Sequence, residues 1–107
     1  MPEGPLPTTL RVGTVRSCRL NERARPPALV LEIDLGPHGI RTSSARLTER
    51  YDPETLIGRQ LVVATDLGSR RIAGVESEVL VLGVEDETGR IAVLQSDGST
   101  PNGALVH

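Results

Sequence analysis

The sequence predicts an all-β domain with one short helix, organised as a five-stranded Greek-key barrel. Three observations lead there. Apolar and polar residues alternate over short runs, at 10–17, 29–35 and 40–47. Turn signals rich in Gly and Pro separate the runs. One helix signal, Tyr51-Asp52-Pro53-Glu54, follows the third run, and further short strands come after it.

The elements follow in order. Residues 1–8 hold three prolines and a glycine and suit a flexible N-terminal arm, so the folded domain is expected over 9–107. Leu10, Val12 and Thr14 alternate with Arg11 and Gly13, and the phase shifts near Gly13, which predicts a bulge in one long bent strand. Pro26-Pro27 forbids a ladder in the loop that follows. Leu29, Leu31, Ile33 and Leu35 point to one side of a second strand, and Gly36-Pro37-His38-Gly39 turns the chain into a third, making a hairpin. Asp52 as N-cap, Pro53 in the first turn and Gly58 as the stop predict a helix over about 53–57, pinned by Leu56 and Ile57. A fourth strand spans about 60–66, and 67–74 reads as a loop carrying Arg70-Arg71. Residues 78–84 are almost continuously apolar, which predicts a strand covered on both faces, by the barrel or by a second subunit. A last strand at 90–94 precedes a turn-rich tail whose apolar end, Ala104-Leu105-Val106, is expected to dock. This order fits the OB-fold.

Composition narrows the function classes. A chain of 107 residues makes one modest core, burying roughly two-thirds of its unfolded surface. With Tyr51 as the single aromatic residue, that core must be aliphatic. Barrels that hold single-stranded nucleic acid stack bases on several aromatic platforms, which this chain lacks. One cysteine cannot form an internal disulfide, and no metal-ligand spacing surrounds His38 or His107, so neither a metal nor a cofactor is expected. All 12 basic residues are Arg, against 14 acidic ones. Each cation is therefore a planar fork suited to phosphate or carboxylate, while the net charge of −2 disfavours tight non-specific nucleic-acid binding. No apolar run is long enough to insert in a membrane and the start is not a signal peptide, so a cytoplasmic protein is expected.

No catalytic constellation stands out, and the chain is not expected to be an enzyme. Ser43-Ser44 with His38 and Asp34 has the residue types of a hydrolase triad but no nucleophile elbow. The pairs Glu32/Asp34 and Glu76/Glu78 each share a strand face, the pattern of a solvated surface. Cys18, with Arg16 and Arg19 near it, has neighbours that could lower its pKa. The stronger signal is Arg41-Thr42-Ser43-Ser44-Ala45-Arg46, where alternation puts Arg41 with Ser43 on one face and Ser44 with Arg46 on the other. An Arg fork beside a hydroxyl can hold phosphate or 2′-hydroxyl groups, and Arg70 and Arg71 could extend the patch.

Several segments together resemble the tRNA-binding domain family. They are Leu10-Arg11-Val12-Gly13-Thr14-Val15, Ser43-Ser44-Ala45, Tyr51 through Gln60, Ile72 through Gly83, and Pro101-Asn102-Gly103. The resemblance covers about 9–107 and is nearest to the branch of CsaA-type secretion chaperones. It implies an OB-fold and a homodimer whose shared interface involves Val79, Leu80, Val81, Leu82 and Leu105 in the C-terminal strands and tail. For the chaperone branch it implies binding of unfolded or precursor polypeptides in support of export, and for the other relatives binding of tRNA. The ligand-contacting positions it implies are Arg41, Ser43, Ser44, Asp66, Arg71, Ser77 and Glu78. Two departures bear on the choice. Val79-Leu80 stands where the tRNA binders have Gly-Met, and Asp66 puts a carboxylate where they keep an Asn, which repels phosphate.

Overall fold

Strand β1, Leu10–Asn21, organises the molecule because its two halves have different neighbours. The computed structural model describes residues 2–107; Met1, the first residue of the expected arm, lies outside the described residues. The N-terminal half of β1 pairs with β4 (Gln60–Ala64), and the C-terminal half pairs with β2 (Ala28–Asp34). Strand β3 (Ile40–Ala45) completes the hairpin with β2 after a 3-10 turn at Gly36–His38. Strand β7 (Leu80–Val81) joins β4, giving a curled antiparallel sheet in the order β3-β2-β1-β4-β7. The chain is mostly β with one short helix, α1 (Pro53–Leu56), and the sheet fits an OB-like barrel.

The side chains inside the curl are mostly aliphatic. Val15, Leu29, Leu31, Ile33, Leu35, Leu56, Leu61 and Val63 are fully buried, and Tyr51 packs against their edge. The bulge lies between Val15 and Ser17, three residues beyond the phase shift at Gly13. Gly13 serves packing instead: a Cβ there would lie 2.5 Å from Ile33 Cγ2 and 2.7 Å from Leu35 Cδ2.

The helix is a single turn ending at Leu56. The Asp52 side chain makes no capping bond; its carbonyl accepts the N–H (3.1 Å) and hydroxyl (2.7 Å) of Thr55. Gly58 turns the chain with φ +88° and donates its N–H to the Val15 carbonyl at 2.8 Å. Leu56 alone pins the helix, because Ile57 points outward and is 49% exposed.

Two expectations change in the second half. The stretch 67–74 is not all loop: β5 (Arg70–Ile72) and β6 (Val75–Ser77) form a hairpin, turning at Ala73 (φ 45°) and Gly74 (φ 85°). The apolar run 78–84 is not one strand, and within the single chain the barrel does not cover both of its faces. It breaks at Leu82 into β7 and β8 (Gly83–Glu85), and β8 forms a separate hairpin with β9 (Ile91–Val93). Along it, Val79 and Val81 are buried, whereas Leu80 and Val84 are 48% and 54% exposed. The tail docks on its own chain: Gly103 and Val106 donate to the carbonyls of Val12 and Leu10, and Ala104 accepts from Val12, all at 2.7–3.0 Å.

The segment 77–79 closes the curl against the free edge of β3, partly through side chains. The N–H groups of Glu78 and Val79 donate to the Thr42 carbonyl at 2.7 and 3.3 Å. In return, the N–H of Thr42 donates to Glu78 Oε1 (3.1 Å) and that of Ser44 to Ser77 Oγ (2.9 Å). Both edge donors are thereby satisfied without a regular ladder.

Candidate binding cleft

Strand register decides which side chains meet on the outer face of the sheet. Ser17, Glu32 and Thr42 align in one row across β1, β2 and β3, and Arg19, Val30 and Ser44 align in the next. The hairpin β5–β6 stands over these rows. Asn21 Nδ2 holds it by donating to the Ala73 carbonyl at 3.3 Å, and the Arg23 guanidinium packs on Gly74. Between sheet and hairpin lies an open cleft of about 650 Å³. Its floor is Ser17, Arg19, Val30, Glu32 and Thr42; its wall is Val75, Glu76 and Glu78.

Carboxylates dominate the cleft. Glu32 accepts the Ser17 hydroxyl at 2.7 Å, and Glu78 accepts the Thr42 N–H. Neither has a cation within ion-pair distance among the described residues, while Glu76 is paired with Arg71 at 3.5 Å, both ends well exposed. No group of three or more His, Cys, Asp or Glu stands close enough to hold a metal among the described residues, so the carboxylates are spread along the cleft.

The structure redistributes the sequence-derived site residues. Ser43 belongs to the inner row with Cys18 and Leu31, is fully buried, and leaves its hydroxyl without a partner. It therefore offers no surface hydroxyl beside Arg41, which is exposed at the start of β3. Ser44 is on the outer face, with its Oγ buried and unpartnered. Ser77 and Glu78 bind the β3 edge as described. Asp66 lies away from the cleft, where its carboxylate accepts from the Thr8 hydroxyl and the Thr9 N–H (2.9 Å). Those bonds, the Thr8 hydroxyl foremost, hold it below the usual carboxylate range. Burial, with the Glu54 charge second, pushes the Cys18 thiol up to about 11, the opposite direction to the one its Arg neighbours in sequence could give, as for an unreactive thiol.

Ser17, Arg19, Val30 and Thr42 are cleft residues that sequence patterning did not single out. The signal for them was the shared-face spacing of Glu32 and Glu76/Glu78, which alternation exposed but could not bring together across strands. A second, smaller pocket of about 240 Å³ lies on the other side of the hairpin, lined by Leu67, Ile72, Val79 and Leu80 with Ser44 and Arg70. Of the residues implied for a shared interface, Leu80 is exposed, Val79 and Val81 are buried, and Leu82 and Leu105 are half-buried. No helix is long and apolar enough to cross a membrane among the described residues.

Known proteins are similar to this chain in fold and in sequence. The chaperone CsaA of Bacillus anthracis is 45% identical and superposes with a TM-score of 0.87, over 94% of this chain and 91% of that one. CsaA of Picrophilus torridus is 31% identical with a TM-score of 0.86, over 94% and 92%. The methionine–tRNA ligase of Methanococcoides burtonii is 35% identical over 98 residues, which are 92% of this chain but 14% of the ligase. This chain thus spans about a seventh of the length of the ligases it matches. The family described as "Putative tRNA binding domain" matches residues 10–105, and the chain belongs to this tRNA-binding domain family.

Proposed function

We propose that this protein is a non-enzymatic binding module: a CsaA-like dimeric chaperone that holds unfolded or precursor polypeptides in the cytoplasm in support of export. The observation that carries this reading is the cleft beside β5–β6. Its carboxylates at Glu32 and Glu78 have no ion-pair partner among the described residues, so a phosphate backbone laid there meets repulsion, whereas a polypeptide carries no such charge. The likeness to two chaperones named CsaA over most of the chain supports the same reading. The exposed Leu67, Leu80 and Val84 supply apolar surface for a second copy. The test is suppression of aggregation: sub-stoichiometric to equimolar protein should delay aggregation of a denatured client. Absence of any delay, together with no binding of unfolded peptides at micromolar concentration, overturns it.

A second reading, a structure-selective tRNA binder, is favoured by the guanidinium groups around the hairpin: Arg23 on its turn, and Arg70 and Arg71 on its outer strand. A gel shift with total tRNA over a salt series tests it. Salt-sensitive binding weakened by Arg71→Ala supports RNA recognition, and no shift at low salt removes it.

A further inference from the structure

We propose that the cleft between the outer sheet face and the β5–β6 hairpin selects polypeptide segments by their positive charge, seating Lys or Arg side chains between Glu32 and Glu78. This rests on the polypeptide reading above and names its ligand class.

The geometry brings together what a long cationic side chain requires. Glu32 sits on the floor and Glu78 on the wall, each with one carboxylate oxygen used internally, by the Ser17 hydroxyl and the Thr42 N–H, and neither with an ion-pair partner among the described residues. Those internal bonds fix both carboxylates in place, so less side-chain freedom is lost when a cation arrives. The half-buried Val75 offers apolar surface to the methylene stem of Lys or Arg. Glu76 adds a third carboxylate, partly offset by Arg71, and Arg19 is the one basic residue lining the cleft. The lining is therefore net negative by two charges, three Glu against one Arg. A volume of about 650 Å³ accommodates a few side chains of an extended segment. No group of three or more His, Cys, Asp or Glu comes together there among the described residues, so the carboxylates stand apart along the cleft, a spacing that complements cations spaced along an extended chain.

Three peptides of one apolar-polar sequence, bearing two Lys, two Gln or two Glu at the same positions, would be titrated against the full chain. The Lys peptide should bind about 5- to 10-fold more tightly than the Gln peptide, with the Glu peptide weakest, as expected for partly exposed ion pairs. Raising salt should narrow the difference. The double variant Glu32→Gln/Glu78→Gln keeps both acceptor oxygens for Ser17 and Thr42 and should abolish the Lys preference, while Glu85→Gln, outside the cleft, should preserve it. Thermal unfolding of each variant confirms that it is folded. Equal binding of all three peptides overturns charge selection but leaves the polypeptide reading standing. Binding of none of them, nor of an unfolded client, overturns both. Preference for tRNA over the Lys peptide, strengthened by the Glu→Gln double variant, would reassign the cleft to RNA.

Discussion

The Ser77 hydroxyl accepts the backbone N–H of Ser44 at 2.9 Å, so a residue that family likeness places in a ligand site is also a fastener of the barrel. Ser77 is buried, and its hydroxyl is the one acceptor for that part-buried donor among the described residues. Ser77→Ala should therefore destabilise the domain by about 1–3 kcal/mol, the cost of orphaning a buried donor. Urea unfolding checks this; an unchanged midpoint would mean that water replaces the hydroxyl at no cost.

Glu78 holds the neighbouring donor, the N–H of Thr42, at 3.1 Å. Glu78→Gln retains an acceptor oxygen, whereas Glu78→Ala removes it. The Ala variant should lose about 1 kcal/mol more than the Gln variant in the same unfolding experiment. This pair of variants separates the carboxylate's structural role from its charge.

How much of this was legible in the sequence depends on whether the signal was local. The register of β2 with β3 follows from alternation at 29–35 and 40–47 and from the Gly36–Gly39 turn. Alternation also puts Ser43 and Ser44 on opposite faces but does not say which face is interior, so it does not reveal that Ser43 is the buried one. The β5–β6 hairpin escaped because its strands are three residues each and Arg70-Arg71 carries no apolar periodicity. The run 78–84 misled for the opposite reason. Its apolar residues are continuous, but the chain changes sheets at Leu82, and strand breaks within an apolar run leave no compositional mark. The cleft itself depends on contacts across three strands and a hairpin, which no single stretch of sequence encodes.

Arg11 joins the two ends of the chain. Its guanidinium donates to the Gly103 carbonyl and pairs with Glu3, each at 2.8 Å, with the Arg side chain 7% exposed and that of Glu3 64% exposed. Because Glu3 is largely solvated, Glu3→Gln should cost no more than about 1 kcal/mol. Arg11→Ala removes a buried hydrogen bond and a packed stem and should cost about 2–3 kcal/mol. Equal effects in chemical denaturation would show that the ion pair, not the bond to the tail, dominates.

Strong acid should loosen the β8–β9 hairpin. The Asp86 carboxylate accepts from Thr88 Oγ1 (2.7 Å), from the N–H groups of Thr88 (2.8 Å) and Arg90 (3.0 Å), and from Arg50. These bonds, the Thr88 hydroxyl foremost, lower its pKa from 3.8 to about 2. A carboxyl whose folded pKa is depressed adds stability above its unfolded pKa and loses it as pH falls through the folded value. The protection of the Thr88 and Arg90 amides, relative to their intrinsic exchange rates, should therefore fall between pH 3.8 and about 2. Asp86→Asn should flatten that dependence; an identical acid profile in the variant would assign the effect elsewhere.

Leu80 and Val81 are adjacent in β7, yet they test different things. Val81 is buried in the core cluster, so a charge there attacks the fold. Leu80 is 48% exposed, so within one chain a charge there costs little, and its apolar surface gains a purpose only when another molecule covers it. Leu80→Glu should keep the thermal unfolding temperature of the isolated domain close to wild type while shifting the sedimenting species from the proposed dimer to a monomer of 11.4 kDa. Like charges brought together across a two-fold interface make that loss steeper at low salt. A wild-type protein that already sediments as a monomer at micromolar concentration removes the dimer. A dimer that survives Leu80→Glu moves its interface away from β7.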